Sequence, residues 1–120
     1  MLRLVQKRVT PDGVPWGGYS AYFDGAQVGE CAFKGAPVDG RVEIAYYTYE
    51  PFQGLGHATA MARGLVAIAR GADPAILVVA QTRREPSAST TILTKLGFAI
   101  YGIVHHPEDG DVLEWHLVPE

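Results

Sequence analysis

The stretch from Arg41 to Arg70, RVEIAYYTYEPFQGLGHATAMARGLVAIAR, most constrains what this chain can form. Its first part, Arg41 to Tyr49, is a β-branched and aromatic run with the chemistry of a strand. Pro51 ends that run, because proline has no N–H to donate to a ladder. Gly54 and Gly56 then allow a tight turn, and an amphipathic helix begins at once. Ala58, Met61, Leu65 and Ile68 recur at three- and four-residue spacing on its apolar face, and Gly71 stands where a helix commonly closes. The first N–H groups of such a helix lack internal partners, and its dipole puts partial positive charge at that end. The segment therefore reads either as plain turn chemistry or as an anion cradle, and two glycines alone do not decide between them. A P-loop is excluded, since no Lys-Ser or Lys-Thr follows the second glycine. A Rossmann fingerprint is excluded as well, since its third glycine and its spacing are missing.

The remaining chain surrounds this unit with strands and one more helix. YSAYF and VGECAFK flank Asp24-Gly25, a strong hairpin signal. GAPVDG makes a second turn ahead of the long run. AILVVAQT, Ala75 to Thr82, is a continuous apolar stretch that reads as a strand buried on both faces. EPSASTTILTKLG reads as a second helix, with Ser87 as N-cap, Ile92, Leu93 and Leu96 as its apolar face and Gly97 as its end. FAIYGIV and DVLEWHL complete the chain as strands around the turn-rich HHPEDG. The order predicts a mixed α/β sheet covered by two helices.

Length predicts a single domain over 1–120 with a real core. The formal net charge is −3 and no basic stripe is present, which argues against nucleic acid as a partner. Cys31 is the single cysteine, so no internal disulfide and no thiolate zinc site can form. Its setting in VGECAF marks a small buried strand residue, with nothing local to activate a nucleophile. His105, His106 and His116 have no carboxylate at a convincing spacing, so no metal is expected. MLRLVQKRVTP is too short and too charged for a signal peptide, and no run approaches the ~20 apolar residues of a membrane span. A cytoplasmic location without a membrane partner is the expectation.

The pattern Gln53-x-x-Gly56-x-Ala58 resembles the Gln/Arg-x-x-Gly-x-Gly/Ala motif of the GNAT N-acetyltransferase superfamily, which binds the pyrophosphate of acetyl-coenzyme A. VEIAYYTYEPFQGLGHATAM is similar to that superfamily's central strand, loop and helix. EPSASTTILTKLGF resembles a segment of its RimJ/RimL-like branch. The three blocks stand in the correct order between Arg41 and Tyr101. The resemblance implies a GNAT-like, mostly antiparallel central sheet with two covering helices, and acetyl-CoA as co-substrate.

The resemblance also implies roles residue by residue. The backbone of Tyr47, Thr48 and Tyr49 would pair with the pantetheine arm as an added strand. Gln53, Gly54, Leu55, Gly56, His57 and Ala58 would supply N–H groups to the pyrophosphate, with the His57 side chain facing solvent. Glu43 would be a general base, directly or through water. Strand alternation gives Glu43 a second account, a place on the wetter face beside Ala45, Tyr47 and Tyr49. Tyr101 would protonate the departing thiolate, or else pack in the core. Ser89 would contact the cofactor from the first turn of the second helix, or cap that helix.

Two departures from the family stand out. Ser87, a cofactor-contact position in the resemblance, stands where relatives carry asparagine, whose side chain reaches further and has one more donor, so that a cofactor or substrate hydrogen bond would be lost here or replaced by water. Relatives also place two helices after an N-terminal strand, whereas the segment before YSAYF holds Pro11, Gly13, Pro15, Gly17 and Gly18 and cannot form them. Either a second subunit of a homodimer supplies that wall, or the cleft is open and takes a large acceptor. The expected activity is transfer of acetyl to a primary amine by direct attack, on a small molecule or on a protein N-terminus or lysine. No activated nucleophile for an acyl-enzyme is visible. The alternatives are an acetyl-CoA sensor or an interaction module without catalysis.

Overall fold

In a computed structural model, which describes residues 1–119, the strand run at Arg41 becomes the middle of a seven-stranded sheet. The elements in chain order are β1 (Arg3–Gln6), β2 (Gly18–Phe23), β3 (Ala26–Phe33), β4 (Arg41–Thr48), a 3-10 turn (Glu50–Phe52), α1 (His57–Ala72), β5 (Leu77–Thr82), α2 (Ala88–Lys95), β6 (Ala99–His106) and β7 (Gly110–Leu117). The spatial order is β1-β2-β3-β4-β5-β7-β6. Every neighbouring pair is antiparallel except β4 and β5, which are parallel and joined through α1. This is the mixed sheet with two helices that the sequence leads one to expect.

Both helices pack on one face of the sheet. Alternation sends Val42 and Ile44 of β4, Val78 and Ala80 of β5 and Trp115 of β7 into the same core as Met61 and Leu65 of α1 and Leu93 of α2. The opposite face carries Glu43, Ala45 and Tyr47 of β4, Val79 and Gln81 of β5, and Glu114 and His116 of β7. Asp24 and Gly25, at φ 51° and 80°, turn the β2–β3 hairpin, as the Asp-Gly pair predicts. Ser87 caps α2 within a reciprocal capping box with Thr90. No helix among the described residues is long and apolar enough to cross a membrane.

Three details differ from the sequence reading. The buried stripe of α1 is Met61, Ala62, Leu65 and Ala69, together with His57, while Ala58 and Ile68 are half-buried. Its C-cap is Asp73 rather than Gly71, which lies inside the last turn. The N-terminal segment forms no helix, as expected, but it does form the edge strand β1. Leu4 of that strand sits against α1 at Gly64, where a Cβ would come within 2.8 Å of the Leu4 Cδ1.

Candidate active site

The site begins where two strands part. β4 and β5 pair only through Arg41–Leu77, Val42–Val78 and Glu43–Val79, yet β4 continues to Thr48 on β3 alone. Hydrogen bonds from Lys34 N to Glu43 O (2.8 Å) and from Tyr49 N to Val28 O (2.8 Å) fix the parity of β4. Backbone groups of Glu43, Ala45, Tyr47 and Tyr49 face β3, and those of Tyr46 and Thr48 face the gap left by β5. Gln53 Nε2 donates to Thr48 O at 3.0 Å and braces the loop against the strand. An extended chain could add itself to the remaining groups of this edge. The expectation for Tyr47 and Tyr49 is therefore corrected: β3 already takes their backbone groups, and Tyr46 stands in their place. The Tyr49 hydroxyl donates to Glu30 Oε2 at 3.0 Å, away from the gap.

At the end of β4 lies a run of unused donors. The first helical bond of α1 runs from Ala60 N to Gly56 O, and among the described residues no oxygen accepts from the six amides Gly54 to Thr59. Gly54 and Gly56 have φ of 80° and 86°, a backbone region that favours glycine, and a Cβ on either would point into open space. The arrangement fits a pyrophosphate: clustered N–H groups, the positive end of a helix dipole, and no side chain in the way. The Gln53 amide is the exception, since it already donates to Glu50 O at 3.3 Å. His57 is corrected too. Its ring is 6% exposed and lies 4.9 Å from the Phe23 ring, so only its backbone faces the cradle.

These groups border a cleft of about 640 Å³ between the end of β4, the glycine turn and α2. Its volume is that of a site for a sizeable ligand. Tyr46 and Thr48 form its strand wall, and Ser89, Thr91 and Ile92 its helix wall. A smaller space of about 110 Å³, a candidate passage, lies in the fork of the sheet, bounded by Glu43, Tyr46, Gln81, Ser89 and Lys34. Tyr46 and Ser89 border both spaces. Burial raises the Tyr46 pKa above the ordinary tyrosine value, and the neighbouring Ser89 hydroxyl acts in the opposite sense. Ser87 lies outside the cleft, its hydroxyl engaged with Thr90 N.

Glu43 sits at the last paired rung, on the face away from the helices. Lys34 Nζ approaches its Oε2 at 3.2 Å, a contact the sequence does not suggest. Farther along the same face, Glu114 Oε2 meets His116 Nε2 at 2.8 Å and Arg41 Nη2 at 3.1 Å. Tyr101 is misplaced by the sequence reading. It stacks on His116 at 4.1 Å and 12°, is 72% exposed, and borders neither the cleft nor the passage. Ala99 pairs with His116, so strand alternation carries Tyr101 to that face, beside a bulge between Ile100 and Gly102. Cys31 is buried in β3, which pushes its thiol up to about 12 and leaves it inert at neutral pH.

Comparison with known proteins gives this geometry a setting. The model of the acetyltransferase (GNAT) domain matches residues 5–99. No curated protein sequence matches the chain at a significant level. Among solved structures, yncA of Salmonella typhimurium, determined with acetyl-CoA, is 20% identical with a TM-score of 0.73, over 89% of this chain and 66% of that one. RimJ of Mycobacterium smegmatis, in complex with CoA-disulfide, is 22% identical with a TM-score of 0.73, over 84% of this chain and 52% of that one. An IAA acetyltransferase of Bacillus cereus is 17% identical with a TM-score of 0.75, over 98% of both chains. Several of these similar structures are longer proteins, and the chain spans 52% of RimJ and 66% of yncA. At such identities the likeness shows the fold, and the match of the domain model shows the family: the chain belongs to the GNAT acetyltransferases.

Proposed function

We propose that residues 1–120 form a single-domain N-acetyltransferase that moves the acetyl group of acetyl-CoA to a primary amine by direct attack. The observation that carries this reading is the open edge of β4 running into six free amides. The amides of Gly54, Leu55, Gly56, His57 and Ala58 would hold the pyrophosphate, and the free backbone groups of Tyr46 and Thr48 would pair with the pantetheine arm. Ser89 would border the arm from α2. Glu43, at the far mouth of the passage, would take the proton of the attacking amine, directly or through a water it orients. The acceptor would approach from the face that bears Glu43, so that cofactor and amine meet through the sheet. EPSASTTILTKLGF supports placement in the RimJ/RimL-like branch, and a structurally similar acetyl transferase of Salmonella typhimurium modifies the N-terminal serine of ribosomal protein L7/L12.

A second reading, an acetyl-CoA-binding module without catalysis, draws on the same uncovered face. With neither helix packed there, nothing encloses a small acceptor.

Isothermal titration with acetyl-CoA, CoA and ADP tests the reading. Gly56→Asp puts a carboxylate among the amides at a φ that aspartate tolerates with modest strain. The expected result is binding of all three ligands by the wild type and a loss of about 100-fold or more in the variant, through charge repulsion and a filled cradle. A wild type that binds none of them contradicts the proposal.

A further inference from the structure

An acetyl group offered at the fork needs an amine on the face away from the helices, and that face is neither flat nor neutral. We propose that the acceptor is the N-terminus of an acidic polypeptide, lying across β4, β3 and β2 with its amine beside Glu43 and a carboxylate side chain at Lys7. The proposal rests on the acetyltransferase reading above and names its substrate class.

A hollow of about 200 Å³ opens on this face next to the fork, lined by Lys7, Gly18, Glu30, Ala32, Ala45 and Tyr47. It shares Ala45 and Tyr46 with the space in the fork, so the two lie in a row. Register explains its shape. Gly18, Ala32 and Ala45 pair side by side across β2, β3 and β4, and the neighbouring rung of Ser20, Glu30 and Tyr47 stands taller. On the other side stand Lys34 and Glu43, joined by the bond from Lys34 N to Glu43 O. The stem of Lys7 lies over Gly18, where a Cβ would come within 3.3 Å of its Cδ, and its Nζ approaches Glu30 Oε2 at 3.4 Å. From Ala45 to Gly18 is two strand spacings, about 10 Å, or the length of about three extended residues.

Charge selects the occupant. From β1 to β4 this face presents Arg3, Lys7, Lys34 and Arg41 against Glu30 and Glu43, although the chain as a whole has a net charge of −3. The Lys7 and Lys34 side chains are about half exposed. Ion pairs at such exposure are weak, so both lysines can turn from their glutamates to an incoming carboxylate. A polyamine would meet these cations as like charges. The hollow begins at the fork itself, which suits an N-terminal amine, bonded directly to its own Cα, better than a lysine amine at the end of a long stem. Neither helix covers this face, so the polypeptide is free to continue past β2.

With saturating acetyl-CoA, CoA release is followed for the peptides Ala-Ala-Glu-Glu-Ala-Gly, Ala-Ala-Gln-Gln-Ala-Gly and Ala-Ala-Arg-Arg-Ala-Gly. Free alanine, spermidine and an N-terminally blocked acidic peptide with a single lysine complete the panel. The free acidic peptide is expected to exceed the glutamine peptide by about tenfold in kcat/KM, mostly through KM, and every other acceptor by more. The preference is expected to shrink as salt rises. Lys7→Glu is expected to reduce it to about twofold or less; should that reversal not fold, Lys7→Gln is expected to reduce it to about threefold. Equal use of the glutamine or arginine peptide overturns the proposal, and so does an unchanged preference in the Lys7 variants. Equal use of alanine, spermidine or the blocked peptide overturns it too, and in each of these cases the transferase reading stands. A wild type that binds acetyl-CoA but acetylates none of these amines contradicts the transferase reading itself, and the acceptor with it.

Discussion

Two glutamates on the uncovered face of the sheet meet different partners. Glu43 shares one carboxylate oxygen with Lys34 and keeps its place at the mouth of the passage. Glu43→Gln is expected to lower turnover by about 100-fold and to change its pH dependence, with acetyl-CoA affinity nearly intact; unchanged turnover removes Glu43 from the mechanism. Glu114 is 6% exposed and pairs with Arg41 and His116. Burial alone would raise its pKa, but hydrogen bonds from His116 and Arg41 outweigh burial and hold it below the ordinary carboxylate value of 4.5. A depressed carboxylate adds stability above its unfolded pKa, and that stability is lost as pH falls through the folded value. Glu114→Ala leaves the well-exposed Arg41 guanidinium and the His116 ring without their acceptor and is expected to cost about 1–2 kcal/mol near neutral pH, with the deficit shrinking in acid. Urea titrations of both proteins across the acid range check this; a deficit that grows as pH falls contradicts it.

The elements of this fold were legible where local chemistry decides them. Asp24-Gly25, Pro51, Ser87 and Gly97 each mark a boundary that the chain uses. β1 was not legible, because four residues with one strong apolar contact give too short a period to read. Local chemistry does not reveal the fork, which the family resemblance alone implies, since it depends on where β4 and β5 stop pairing, at Glu43–Val79, between strands far apart in the chain. Which edge of β4 faces the gap follows from the β3 register, so the sequence points to Tyr47 where the structure offers Tyr46. Gly29 holds that register at Thr48, for a Cβ there would overlap the Tyr47 carbonyl oxygen. Gly29→Ala is expected to destabilise the protein by about 3 kcal/mol, and a melting temperature within 2 °C of wild type would contradict it, since about 1 kcal/mol already shifts such a domain by several degrees.

At the scale of the whole molecule, two helices cover one face of a seven-stranded sheet, and a fork opens in that sheet beyond Glu43–Val79. The helix side offers six unused amides and a strand edge left open beyond the fork; the other side offers a carboxylate and open access. The central claim is that acetyl-CoA lies along the β4 edge with its pyrophosphate in the glycine turn. A backbone amide NMR titration with acetyl-CoA tests it most directly. The account predicts that shifts concentrate at Tyr46, Thr48 and Gly54 to Thr59, with Tyr101 and β6 unmoved. Shifts confined to β6 and β7, or none at saturating ligand, would contradict it.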